Sequence, residues 1–341
     1  MPDTIFVTGA GGYIGSILVD ELLTHGYNVI AYDRFYFGQS VLDKHRGNER
    51  LKLVKKDIRD AELSDFNGVS VVCDLAALSN DPSGEIDPAL TIAVNHKGRS
   101  HICSLAKQAG VRRYILSSSC SVYGAAEGTS LVETSRTAPL TTYARANRDA
   151  ELDTLAKGDE SFSVTALRNA TVFGLSPRMR FDLVINIMTL HAAEKGMITI
   201  MGGGRQWRPL VHVRDVARMF RAVAEADRSR VSGEIFNVGL ANFQIRSLAF
   251  IVRETLPIPV TISVAPDDPD RRDYSASFEK AKERLGFTAV TTIEEGVREI
   301  YDALKYGTIE ESAKTSTVKW YRNILDAKQL LDEIEFNGRI L

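Results

Sequence analysis

Cysteine is scarce: Cys73, Cys103 and Cys120 are three in 341 residues, odd in number and far apart. That excludes a disulfide framework and gives no thiolate metal site, and since each lies in an apolar stretch, buried thiols are expected. Long hydrophobic runs are missing as well; none approaches the ~20 residues a membrane-spanning helix needs. Charge of one sign is not in excess, because 42 Lys and Arg against 44 Asp and Glu leave a net charge of −2. Such a balance offers no general attraction to nucleic acid or to an anionic membrane. The N-terminal residues read as a strand, with neither a basic leader nor a small-residue cleavage site, so a cytoplasmic location is expected. No internal repeat or low-complexity linker is visible. What is present is a chain with 44% hydrophobic and 25% charged residues, the composition of a globular enzyme with one large core or two lobes.

The most informative segment is the first. Thr4-Ile5-Phe6-Val7, an apolar strand-like run, leads into Thr8-Gly9-Ala10-Gly11-Gly12-Tyr13-Ile14-Gly15, and an amphipathic run from Ile14 to Leu23 follows. Strand, glycine turn and helix in this order suit the pyrophosphate of a dinucleotide. Gly9 permits a tight turn, Gly12 lets the backbone approach the phosphates, and Gly15 lets helix and strand pack closely. The phosphates then face the free N–H groups of a helix start. A second strand, Val29-Ile30-Ala31-Tyr32-Asp33, ends in an acid 24 positions after Gly9. A carboxylate there accepts from adenosine ribose hydroxyls and repels a 2′-phosphate, which favours NAD over NADP. Arg34 keeps an NADP reading open, and an ordinary βαβ turn with a surface aspartate is the competing structural reading.

Strand-like and helical runs alternate through the first half. Leu51–Val54, Ser70–Leu75, Arg113–Leu116 and Ser163–Leu167 read as strands; Ala89–Ala109 and Tyr143–Ala156 read as helices. This alternation predicts an α/β fold, a doubly wound parallel sheet with its ligand beyond the carboxyl ends of the strands. The second half is mixed. Gly202-Gly203-Gly204 marks a turn, Val213–Ala226 a helix, Ile235–Val238 a strand and Pro266–Asp270 a loop. Ser312–Glu335 reads as a charged amphipathic helix, expected to pack on the smaller lobe or on a partner.

Several motifs in order resemble the extended short-chain dehydrogenase/reductases, specifically the NAD-dependent nucleotide-sugar epimerase/dehydratase family, over roughly residues 4–305. They are TGAGGYIG, Asp33, Asp57-Ile58, Leu75-Ala76-Ala77, Asn95 in VNHKG, SSSCSVYG (Ser117–Gly124), Tyr143 and a C-terminal RRDYSASFEKAKERLG segment. The resemblance implies a Rossmann-type NAD domain, 1–173 plus about 209–240. It also implies a smaller mixed lobe for a nucleoside-diphosphate sugar, about 174–208 plus 241–311; a helical extension, 312–341, would follow. Gly9, Gly12, Tyr13, Ile14, Gly15, Asp33, Arg34, Asp57, Ile58, Leu75, Ala76, Ala77 and Asn95 would meet the cofactor. For Asp57 an adenine contact and a helix N-cap are both open. A homodimer through Ala89–Ala109 and Tyr143–Ala156 is implied by analogy.

Ser119 and Tyr143 are the implied catalytic pair, binding and deprotonating a sugar hydroxyl. A tyrosine with an unperturbed pKa near 10 needs a nearby cation for this task. The family places a lysine four residues later, one helical turn away; this chain has Tyr143-Ala144-Arg145-Ala146-Asn147. Asn147 can hydrogen-bond the nicotinamide ribose but is uncharged. Arg145 projects to the far side of the helix, and Arg148 lies about 140° from Tyr143 at 100° per residue. Three explanations stand open: a less acidic tyrosine assisted by oxidised cofactor and a water or substrate group, another base such as His191 or His212, or lost catalysis.

Relatives that perform 4,6-dehydration carry an Asp-Glu pair before Val-Tyr-Gly, whereas Cys120-Ser121 stands here. Dehydration is therefore disfavoured, and epimerisation or net oxidation at a sugar carbon, C4 in most relatives, is expected. An NADP-linked ketosugar reductase and a non-catalytic NAD-binding relative are the alternatives. For the diphosphate, the forked donors of Arg178, Arg180, Arg208 and Arg272 (with Arg271 its rival) are candidates, a solvated surface role being the competing reading for each. Thr171 stands where many relatives use asparagine against the diphosphate, and Ser121 offers a hydroxyl to the sugar or to solvent. No metal site is expected.

Overall fold

Ile5, Phe6 and Val7 are completely buried, and the strand they form lies in the middle of a sheet covered on both faces, which is why the run is continuously apolar. The computed structural model describes residues 3–124, 130–266 and 273–340. Its strands are β1 (Thr4–Thr8), β2 (Asn28–Asp33), β3 (Leu51–Lys55), β4 (Val71–Asp74), β5 (Arg113–Ser119), β6 (Ser163–Asn169), β7 (Thr171–Phe173), β8 (Met197–Met201), β9 (Trp207–His212), β10 (Glu234–Val238), β11 (Ala241–Gln244) and β12 (Thr261–Ala265). Seven of them form one sheet in the order β10-β6-β5-β4-β1-β2-β3, every pair parallel. The expected doubly wound α/β architecture is present. Strand order reverses beside β1, so the loops after β1 and β4 part there and open the crevice where ligands bind in such sheets.

One face of this sheet is covered by the helices Tyr13–Thr24 and Val213–Glu225, whose Leu18, Leu22, Val216 and Phe220 share a core with Ile5 and Val7. The other face carries Arg99–Gln108 and Thr142–Leu155, with Ile102, Ala106 and Ala150 packed on Tyr114 and Val164. A second core, built from Ile185, Ile198, Leu248, Val252 and Val297, joins β8 and β12 to the helices Val184–Lys195, Ile245–Thr255 and Ile293–Lys305. β7, β9 and β11 form the small sheet between the two cores.

Two local features differ from the expectation. The run expected as one helix over Ala89–Ala109 is α-helical at Pro88–Ile92, π-helical at Ala93–Gly98 and α-helical again at Arg99–Gln108. The wide turn spans a tight spot, where a Cβ on Gly98 would lie 2.9 Å from Ile58 Cδ1. The tail helix, Thr317–Ile334, meets the smaller lobe as expected, but only through its 178–182 segment, and reaches the cofactor domain as well. Its first turns sit on the loop after β2 and on residues 178–182: Trp320 Nε1 donates to the Tyr36 carbonyl (2.8 Å), and Tyr321 packs on Tyr36 and Phe37.

The glycine turn is sterically obligatory. Gly12 N–H donates to the Gly9 carbonyl (3.0 Å), Gly9 has a φ of 66°, and a Cβ on Gly15 would stand 2.0 Å from that same carbonyl oxygen. Gly15→Ala is therefore expected to destabilise the fold by about 1–3 kcal/mol through overpacking. Thermal unfolding with and without added NAD checks this; an unchanged midpoint and unchanged NAD-induced stabilisation would contradict the packing argument.

Candidate active site

A cleft of about 710 Å³ runs along the carboxyl edge of the large sheet and on under the smaller core. Its cofactor end is lined by Gly9, Gly12–Gly15, Asp33, Arg34, Asp57, Ile58 and Leu75–Ala77, its other end by Ser119, Ser121, Tyr143, Asn147, Thr171, Arg178, Arg180 and Arg208. Two of the expected residues are not among these. Arg272, with its rival Arg271, lies outside the described residues. Asn95 is a correction: it has no exposed surface, its amide accepts from Leu78 N–H (2.8 Å) and donates to Leu78 O (3.0 Å), and it does not line the cleft. It holds the loop that does.

The Tyr13–Thr24 helix starts at Gly12 with no side chain capping its first N–H groups. Bare N–H donors, backbone exposed by glycine and the positive helix end suit a pyrophosphate. Asp33 Oδ2 accepts from Gly11 N–H (3.0 Å) and Oδ1 from Phe35 N–H (2.5 Å), so the carboxylate is fixed while each oxygen keeps acceptor capacity for a ribose hydroxyl. Burial pushes its pKa up, against those two backbone donors. These residues fit a dinucleotide: Gly9 to Gly15 would hold its pyrophosphate and Asp33 its adenosine ribose. Arg34 is already engaged, 3.0 Å from Asp57 and over the Tyr36 ring. Asp57 takes the capping role, accepting from Arg59 N–H (2.9 Å). Burial pushes its carboxyl up, but Arg59 and Arg34 outweigh that and hold it at about 2.

At the other end, Ser119 closes β5, and Tyr143 opens the Thr142–Leu155 helix, whose N-cap Thr141 accepts from Ala144 N–H (3.1 Å). Gly84 lets a neighbouring turn touch Tyr143, since a Cβ there would lie 2.9 Å from the tyrosine's own. Ser119 and Tyr143 line the same end of the cleft. Burial, then Asp81, push the phenol's pKa up, and Arg99, the Ser119 hydroxyl and Arg180 oppose them. Two buried acceptors lining the cleft, Ser121 Oγ and Asn169 Oδ1, have no partner. His212 is not a candidate base. Its Nδ1 accepts from Arg214 N–H, so Nε2 carries the proton and faces Glu299 (2.6 Å), away from the cleft. His191 does line the cleft, its pKa lowered by burial and Lys195.

The arginines differ in what they have left to give. Arg180 is forked onto Asp182 and donates to Ser79 O, so it braces two loops. Arg208 donates to Trp207 O (2.8 Å). Arg178 is buried over the Phe37 ring, 3.7 Å from its centroid; Nη2 donates to Thr317, while Nε and Nη1 have no partner. Burial and Arg180 lower its pKa to about 9.

Residues 5–239 match the NAD dependent epimerase/dehydratase family. The chain belongs to this family. UDP-glucuronic acid decarboxylase 1 of Arabidopsis thaliana is 30% identical over 306 residues, 86% of this chain and 68% of that protein. Among solved structures, MoeE5 in complex with UDP-glucose and NAD is 30% identical at a TM-score of 0.76, covering 90% of this chain and 100% of that one. UDP-glucose 4-epimerase of Thermotoga maritima with UDP-glucose is 26% identical at a TM-score of 0.80, with the same coverage. NAD is the cofactor of this family. Its members include decarboxylases, epimerases and dehydratases, so membership by itself does not exclude dehydration; the case against it rests on Cys120-Ser121. Among the described residues no helix is long and apolar enough to cross a membrane.

Sequence reasoning missed Arg99, Asp81, Asn169 and the aromatic group Tyr36, Phe37 and Tyr321. Replacing Asp33 with alanine is expected to weaken NAD binding about 10–100-fold, with NADP affected less, because the ribose acceptor and the repulsion of a 2′-phosphate are lost together. Calorimetric titration of both cofactors checks it; equal losses for the two would show that Asp33 is not the discriminating group.

Proposed function

We propose that this chain is an NAD-dependent nucleotide-sugar oxidoreductase, an epimerase or dehydrogenase acting at a sugar carbon, C4 by the family resemblance. The supporting observation is that Ser119 and Tyr143 line the same cleft as the glycine turn and the unspent donors of Arg178. When bound, the cofactor supplies the hydride acceptor and donor. Ser119 positions the sugar hydroxyl, and Tyr143 as phenolate takes its proton and later returns it. Arg178, with Arg208 and Arg272, holds the diphosphate, and Ser121 and Asn169 offer acceptors to sugar hydroxyls. Asn147, whose Nδ2 donates to Tyr143 O, presents its amide to the nicotinamide ribose.

Residues 1–173 with about 209–240 form the cofactor domain in this reading, about 174–208 with 241–311 the sugar lobe, and 312–341 the extension. A homodimer through the two helices next to Tyr143 leaves Leu152, 62% exposed, in the contact. An NADP-linked reductase is less well supported, because Arg34 is paired with Asp57. Dehydration lacks its acid: no carboxylate stands between Ser119 and Tyr123, and the Cys120 thiol is buried, donating to Arg168 O.

The test is incubation with NAD and a panel of UDP-, dTDP-, GDP- and CDP-sugars, with products identified by NMR. An epimer or ketosugar is expected from at least one, and Tyr143→Phe should lower kcat by about 10²–10⁴-fold. Binding of the panel without turnover would sink the catalytic reading. Because burial raises the phenol's pKa, the active phenolate is the minor form at neutral pH. Its fraction rises tenfold per pH unit until that pKa is reached, so log kcat should climb with pH above neutrality. A profile that falls from pH 7 upward would contradict a tyrosine base.

A further inference from the structure

A phenol buried beside Asp81 serves as a base near neutrality only if a cation stands close to it, and the residue one turn after Tyr143 is the uncharged Asn147. The cations of the tyrosine's own helix are turned elsewhere. Arg145 donates to Leu140 O and Thr142 Oγ1, and Arg148 to Asp149. Arg180, facing from the 178–183 segment, is neutralised by Asp182.

The adjoining helix supplies another. Arg99 has no exposed surface; its Nη1 donates to Asn147 Oδ1 (2.9 Å), and its Nη2 to Asp74 O (3.0 Å) and to Ser117 O. Arginine has no acceptor and keeps its proton in proteins, so the Asn147 oxygen must face it. The amide nitrogen then points the other way, donating to Tyr143 O (3.0 Å) and keeping a second hydrogen for the cleft.

The remaining charges nearby are accounted for. Glu151, one turn further along the tyrosine's helix, is forked by Arg168; Glu85 is bound to Thr142. Asp74 pairs with the Nε side of Arg99 at 3.5 Å and also takes hydroxyls from Thr8 and Tyr114, whereas the Nη1 end of Arg99 is turned to Asn147. Of the charged groups near Tyr143, Asp81 opposes its ionisation most and Arg99 favours it most.

We infer that Arg99, acting across the Asn147 amide, is the fixed positive charge on which Tyr143 depends as a base, and the residue that orients Asn147 toward the cofactor. The inference rests on the reading of Tyr143 as the base. Arg99 is a positioning residue, since Asn147 stands between it and the cleft. Of the influences that pull the Tyr143 phenol back toward its ordinary value, Arg99 is the largest.

The test follows the phenol directly, by ultraviolet difference titration of each protein against its Tyr143→Phe counterpart, together with kcat and KM across pH. Arg99→Met is expected to move both the titration and the basic limb of kcat upward by about 1–2 units, so that kcat at neutral pH falls about 10–100-fold. KM for the nucleotide sugar should hardly move. Adding Asn147→Lys to Arg99→Met puts a cation back one turn from the phenol and should return both curves. An unchanged titration in folded Arg99→Met, or a shift that the added lysine does not reverse, overturns the inference.

If Arg99→Met does not fold, Asn147→Lys alone decides. With Arg99 already charging the site, a second cation beside it should shift the titration by under about half a unit and lower the melting temperature. A downward shift of about a unit or more would show that the site had lacked a cation, and would overturn the inference. The titration needs no turnover, so failure to convert any nucleotide sugar would count against the proposed function and leave Arg99 still tested.

Discussion

Asp74 closes β4 with a carboxylate that has no exposed surface, and the carboxyl edge of the sheet is tied to it. Thr8, at the end of β1, donates its hydroxyl to Asp74 Oδ1 (2.5 Å) and accepts the N–H groups of Leu75 and Ala76 on the same oxygen. Tyr114 reaches the other carboxylate oxygen from β5, and Arg99 lies alongside from the next helix. A buried charge of this kind is strongly destabilising when it loses a partner. It therefore ties the ends of β1 and β4 to the start of β5 and to a helix. The loops that leave β1 and β4 carry the glycine turn and Leu75–Ala77, and Arg99 reaches on to Ser117 O near the end of β5. The cofactor cradle and the strand end that carries Ser119 are thus parts of one polar network.

What was legible in the sequence was local. The strand–glycine–helix run, the acid ending β2, the serine ending β5 and the tyrosine opening its helix are each written in about a dozen consecutive residues, and the parallel sheet follows from their alternation. What was not legible depends on contacts between distant segments. Arg99 and Asn147 are 48 positions apart, and Arg178 and Thr317 are 139 apart. Neither pair has a spacing that a motif could mark. Asn95 shows the opposite failure. Its motif suggested a cofactor contact, yet the π-helical turn places it and Arg99 inward, where its amide is used up on Leu78. Of the two readings of Asp57, the helix-cap bond to Arg59 is formed, and the residue also lines the cleft.

Counting arginines near a cleft says little about anion binding until their donors are assigned. Arg180 and Arg178 are two residues apart and similarly buried, but one is forked onto Asp182 and the other has two nitrogens without a partner. The N-terminal end of the Thr317–Ile334 helix meets this segment, Thr317 bonding Arg178 through its hydroxyl and Asp182 through its N–H. Tyr321 and Trp320 then press on the loop after β2. The extension is thereby built into the wall of the cleft, beside Arg178 and its two unpartnered nitrogens.

The mixture of decarboxylases, epimerases and dehydratases among the relatives is a chemical regularity more than an ambiguity. Removing a hydroxyl proton and a hydride from a sugar carbon leaves a ketone, and a ketone makes the neighbouring carbon acidic and its substituents labile. Whether the sugar is re-reduced, loses water or loses a carboxylate is then decided by groups one carbon away from the Ser119–Tyr143 pair. In this chain the position after Ser119 is a buried thiol turned toward Arg168, and the next is a hydroxyl with no partner. Neither is a carboxylic acid: the thiol is buried, with its pKa pushed up by burial and its hydrogen donated to Arg168 O, and an alcohol hydroxyl is a weak proton donor. A hydroxyl without a partner can, however, hold a ketosugar in place while it is reduced again. In the proposed reading the residues after Ser119 would then suit return of the hydride better than elimination.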